Sequence, residues 1–200
     1  MRFKIGHTRI SVSFLFFAML TMLFAIDERG VALITMISSA IHECGHISSL
    51  ILLGGCPDEI NFGIFGIRIQ QNKCMLSDVC QIIVVLFGPL VNLALFAVLL
   101  AVYGAFGTQI LLTAAAVNLV VGIFNLIPIF PLDGGRLLFM VLSLILSDRA
   151  VCIIMRLICV VLLFALLIFG VFLLVKTEGN VSLLATGAYL AVLCIKSVRI

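Results

Sequence analysis

Five consecutive residues, His42-Glu43-Cys44-Gly45-His46, carry the grouping most able to do chemistry. On a helix, histidines four apart lie on one face, and two imidazoles so placed suit a single zinc ion. Glu43 between them would stand beside that ion, where it can take a proton from a bound water. The chain has three histidines, and the third is His7, near the N-terminus. Two of three falling at this spacing, inside an apolar stretch and around a glutamate, argues against coincidence. Three ionisable groups in such a stretch cost on the order of a few kcal/mol each unless metal or partners compensate.

A catalytic zinc site keeps three protein ligands and an open position, so a third ligand must come from elsewhere. Asp133 is the candidate, in Asn125-Leu-Ile-Pro128-Ile-Phe-Pro131-Leu-Asp133-Gly134-Gly135-Arg136. The two prolines break a helix there, and the two glycines allow backbone that other residues resist. Irregular backbone at membrane depth is tolerated where protein or a water-filled cavity surrounds it. Alone, Asp133 would read as the end of a helix at an interface; beside the histidine pair, the ligand reading is preferred. Asn118 and Asn125 are seven apart and share a helix face. Asn118 reads as an amide joining a neighbouring helix, and Asn125 as functional because it adjoins the broken segment. Asn92 follows Pro89 by three residues, and either satisfies a carbonyl that the proline frees or serves the site.

The elements that must hold these residues are membrane spans. The chain is 64% hydrophobic and 10% charged over 200 residues, with a mean hydropathy of +1.39. A soluble domain is about 45–50% apolar and about 25% charged. Apolar segments of spanning length fall near 10–26, 31–53, 81–103, 109–130, 150–175 and 181–195, the last one short. The first follows a basic N-terminus but lacks a small-residue cleavage site, so it reads as a retained helix rather than a signal peptide. Between the second and third spans, Ile60–Ile64 and Ile67–Gln70 alternate in the manner of short strands, with Gly63 and Gly66 at the turn. The expected fold is therefore all-α and membrane-integral, with about six transmembrane helices and a small surface β-hairpin after the second. It forms a single polytopic domain over 1–200 with its core at about 31–136.

With the N-terminus inside, Arg2, Lys4, Arg9, Arg68, Lys73, Arg136, Arg149, Lys196 and Arg199 lie inside, whereas Arg29 and Lys176 lie outside. Positive charge thus chooses cytoplasmic termini in a cell membrane. Arg156, early in the fifth span, reads as snorkelling to the inner surface. The net charge of +3 is too small and scattered for a nucleic-acid partner. Seven cysteines, an odd number without a CxxC pair, read mainly as small hydrophobes.

The pairing of HECGH with NLIPIFPLDGGR resembles the site-2 protease family of intramembrane zinc metalloproteases. That family shares an HExxH and a later NxxPxxPLDG. Gly88-Pro89-Leu90-Val91-Asn92 resembles its further GPxxN element. The compact layout is most similar to the bacterial branch containing a sporulation protease, here with neither a CBS nor a PDZ domain. The resemblance implies that His42, His46 and Asp133 bind Zn2+, that Glu43 is the catalytic base, and that Asn92 and Asn125 lie near substrate or in the hydrogen-bond network. It implies regulated intramembrane proteolysis of a membrane-anchored protein in the bilayer, with any regulatory membrane partner unspecified. The rival readings are a metal transporter and an inactive scaffold that binds membrane segments. A transport path would need polar residues spread across the spans, and an inactive relative would have lost the glutamate or a histidine; this chain has kept them all.

Overall fold

The computed structural model describes residues 2–5, 8–12, 27, 30–55, 57–63, 66–71, 76–130, 132–176, 187, 188, 190 and 191. Two compact units divide the chain, Met1–Ile123 and Phe124–Ile200.

The first unit holds a four-stranded sheet of order β1-β2-β3-β4, made of Arg2–Ile5, Thr8–Val12, Pro57–Gly63 and Gly66–Gln71. β1 and β2 pair antiparallel, β2 and β3 parallel from Arg9↔Glu59 to Val12↔Phe62, and β3 and β4 antiparallel through Phe62↔Ile67. The N-terminal strands were not foreseen. Residues 10–12, expected to open the first span, lie in β2; 13–26 fall outside the described residues. Local alternation is the only strand signal a sequence offers, whereas β2 is paired by a segment about fifty residues away. Among the described residues β3 is therefore an interior strand and β4 an edge of the sheet.

Helix α1, Val31–Leu52, starts where Asp27 accepts the Val31 and Ala32 N–H groups with its two carboxylate oxygens, at 3.1 and 2.6 Å. These are amides that a helix start leaves without intrahelical partners. It stops at Gly54, whose φ of 81° is a left-handed conformation. There Gly54 N–H bonds Ile51 O and Gly55 N–H bonds Leu50 O, the paired closure of a Schellman motif. The buried residues of α1 are Ser38, His42, Gly45, His46, Ser49 and Leu50, and all but the last are small or polar. Val31, Leu33, Met36, Ile37, Ile51 and Leu52 are exposed. A helix with its polar stripe inside and its apolar residues outside is inverted relative to one that faces water. Thr35, Ser39 and Ser48 are exposed among these apolar residues.

Helix α2, Asp78–Phe106, is capped by the Ser77 hydroxyl, which accepts from Cys80 N–H, and ends at left-handed Gly107. It is long and apolar enough to cross a membrane, with only 28% of its most apolar window buried. Helix α3, Gln109–Asn125, buries Ala115, Asn118 and Gly122 along one face.

In the second unit, α3 runs out into a tight passage from Leu126 to Phe130. Ile129 N–H bonds Ile127 O at 2.7 Å across Pro128, a three-residue turn that the fixed proline φ favours. Helix α4, Asp133–Ser143, and helix α5, Asp148–Lys176, follow. α5 also has the length and hydropathy of a span, with 18% of that window buried. Ile129, Cys159, Leu163 and Leu190 form the core of this unit. Of the sixth expected span, 187, 188, 190 and 191 are helical and the rest lie outside the described residues.

Candidate metal centre

His42 and His46 are both buried on the inward stripe of α1, 4% and 9% exposed. The i, i+4 spacing brings their rings together edge to face, at an interplanar angle of 84°, and their Nε2 atoms face each other at 3.1 Å. What fixes each ring comes from α2. His46 Nδ1 lies 2.8 Å from the Val84 carbonyl oxygen. A carbonyl can only accept, so Nδ1 carries the proton and Nε2 presents a lone pair. Val84 sits in the turn preceding Pro89; the missing Pro89 N–H leaves the neighbouring Val85 carbonyl without its helical donor.

His42 Nδ1 lies 2.9 Å from Asn92 Oδ1. Asn92 is completely buried, and its amide nitrogen donates to Ser38 O at 3.2 Å and to Asn118 Oδ1 at 2.9 Å. The amide thus serves α1 and α3 rather than a carbonyl opened by Pro89 in its own helix. Asn118 bridges to α2, as an amide joining helices should, and also donates to Ala114 O.

Two glycines let the helices come this close. A Cβ on Gly45 would stand 3.1 Å from Phe87 O and 3.2 Å from the Gly88 Cα. A Cβ on Gly88 would run into the His46 ring itself. Gly88 entered the sequence reading only as part of a motif. Its role against the imidazole depends on which α1 residue the crossing places opposite it.

Glu43 sits between the histidines and is half-buried, and Cys44, next along, is exposed. Asp133 is the first residue of α4 and 8% exposed. A carboxylate at a helix N-terminus gains from the partial positive charge there. The turn that carries it lies hard against the preceding passage. A Cβ on Gly134 would overlap the Leu126 carbonyl, and one on Gly135 would come within 2.6 Å of Ile129 C. Asn125, half-buried, ends α3 just before that passage.

Residues 104–169 match the model of peptidase family M50. A solved site-2 protease from Methanocaldococcus jannaschii superposes over all of this chain and 95% of its own, with a TM-score of 0.72 and 25% identity. In sequence and in fold the chain is similar to site-2 proteases. A zinc metalloprotease of the same organism is 34% identical over 116 residues, 56% of this chain. The chain spans about a third of that relative's length.

Proposed function

We propose that this chain is a zinc endopeptidase that hydrolyses a peptide bond within or beside the transmembrane segment of a membrane-anchored protein. The observation that carries the reading is the buried pair of imidazoles whose Nε2 atoms meet at 3.1 Å, with the His46 lone pair turned inward. Such a pair stays stable when a cation shares its lone pairs.

The donor set fits zinc. His42, His46 and Asp133 are each buried, and each would offer one donor atom. Two neutral imidazoles and one carboxylate leave a fourth position open. When bound, zinc supplies a Lewis acid and lowers the pKa of water held there. Glu43 takes the proton of the attacking water and returns it to the departing amide nitrogen. Asn92 holds the His42 ring in place. Asn125, which ends α3 beside the passage leading to Asp133, would meet the substrate backbone or the ligands' hydrogen-bond network.

A helix hides its peptide bonds, so the substrate must be extended to be cut. The edge strand β4 suits that task. Among the described residues it pairs only with β3, which leaves a row of backbone groups able to take an added strand. The chain would cross the cell membrane about six times with both termini cytoplasmic and the strands forming a small surface element. That topology rests on the distribution of lysine and arginine.

The test is co-expression of tagged anchored substrates with wild type and Glu43→Gln, with metal analysis of both purified proteins. Wild type should cleave and carry one zinc per chain; Glu43→Gln should carry zinc and not cleave. Equal cleavage of a soluble, unanchored peptide would remove the membrane-segment part of the proposal. External labelling of Cys56 or Cys74 in intact cells would reverse the topology.

A further inference from the structure

We infer that Asn118, two hydrogen bonds away from the proposed zinc ligand His42, is a positioning residue that decides which nitrogen of His42 carries the proton. This rests on the zinc reading above. His46 is settled by a carbonyl, but His42 faces a side-chain amide, and an amide can turn either way. Were Asn92 flipped, its NH2 would donate to His42 Nδ1. His42 would then carry its proton on Nε2 and donate it across 3.1 Å to the His46 lone pair. The two histidines would hydrogen-bond each other, and neither would be ready for a cation.

The network forbids that state. Flipping Asn92 would turn its oxygen onto the Ser38 carbonyl and onto Asn118 Oδ1, two acceptors. Asn118 cannot turn to relieve the second conflict, because its own amide nitrogen donates to the Ala114 carbonyl at 2.9 Å. The chain of amides therefore begins at Ala114 O and Ser38 O, main-chain acceptors that cannot reverse. It runs in one direction through Asn118 and Asn92 to His42 Nδ1. Ser38, His42, Asn92 and Asn118 are at most 4% exposed, so water is a poor substitute for any of these four, while the Ala114 end of the path is half-buried. The Asn118–Asn92 bond, 2.9 Å against 3.2 Å to Ser38, is the shorter of the two that hold the amide. The relay keeps both imidazoles as lone-pair donors before metal arrives.

The experiment compares wild type, Asn118→Leu and Asn118→Ser in detergent, the serine being a milder change whose hydroxyl can bond Ala114 O but falls short of Asn92. Two quantities are read besides folding stability: the tautomer of His42 by 15N NMR of histidine-labelled, metal-free protein, and zinc affinity by competition with a chelator. Wild-type His42 should be protonated at Nδ1 alone. Both variants should show a mixture of tautomers and bind zinc roughly ten-fold more weakly, the low end for partners outside the ligand shell. Variants that only unfold at lower temperature, with tautomer and affinity unchanged, would overturn the relay while leaving the zinc reading intact. Wild type that binds no zinc, but whose His42 tautomer still shifts in the variants, would sink the zinc reading and leave the relay standing.

Discussion

Helices α1 and α5 both bury one stripe, yet the two stripes are chemical opposites. α1 turns Ser38, His42, Gly45, His46 and Ser49 inward. α5 turns Val151, Met155, Cys159 and Leu163 inward, while Val160, Val161, Phe164 and Ile168 remain exposed. In water, a helix announces its buried face by hydrophobicity. In lipid the outside is as apolar as the inside, so burial is driven by packing and hydrogen bonding rather than by transfer from water. α1 shows its inner face because polar and small residues gather there. Beyond Arg156, α5 is apolar all round from Leu157 to Val175, and only the fold reveals which side is covered.

The largest effect should come from the polar stripe. Glu43→Gln should lower cleavage about 10²–10⁴-fold, the range for losing a general acid–base group, with zinc retained. His42→Ala or Asp133→Ala should lose zinc as well. Full zinc and full activity in either ligand variant would show that the ligand set is misassigned.

Next comes the crossing that serves this stripe. Gly88→Ala drives a methyl into the His46 ring, and about 1–3 kcal/mol of overpacking strain should weaken zinc binding and activity about ten- to a hundredfold. Gly45→Ala meets its neighbours at 3.1–3.2 Å and should cost less. A reversed order in metal content and turnover would mean that the ring does not lie over Gly88.

Smaller again is the apolar stripe. Leu163, 8% exposed, is packed in the core of the second unit. Leu163→Ala should destabilise by less than the about 2–5 kcal/mol typical of water-soluble cores, because lipid removes the transfer part and leaves the cavity part. Val161, 64% exposed, should tolerate alanine within about 0.5 kcal/mol. Equal shifts in unfolding temperature for the two would erase the contrast between the inward and outward faces of α5.

The strand edge sharpens a different contrast. Proline at Phe62 should disrupt the sheet itself, since β3 pairs on both sides. The cleaner test of strand addition is proline on alternate β4 positions, which should slow cleavage of anchored substrate while zinc content holds. Unchanged cleavage in every β4 variant would remove β4 as the docking edge.

Much of the site was legible before any fold was known. His42 and His46 four apart lie on one helix face whatever surrounds them, because the 3.6-residue turn is local. The Pro128-to-Gly135 run announced a broken helix, since those residue types restrict or free their own backbone. Long apolar segments marked α2 and α5 because span length is set by bilayer thickness. Tertiary structure decided what no spacing encodes. It placed Val84 O against His46 and Asn92 against His42, across separations of 38 and 50 residues. It set Gly88 beneath an imidazole, paired β2 with β3, and chose the covered face of α5. Each of these depends on which residues meet when helices and strands pack, and a chain that is apolar nearly everywhere carries little local pattern from which to read those meetings.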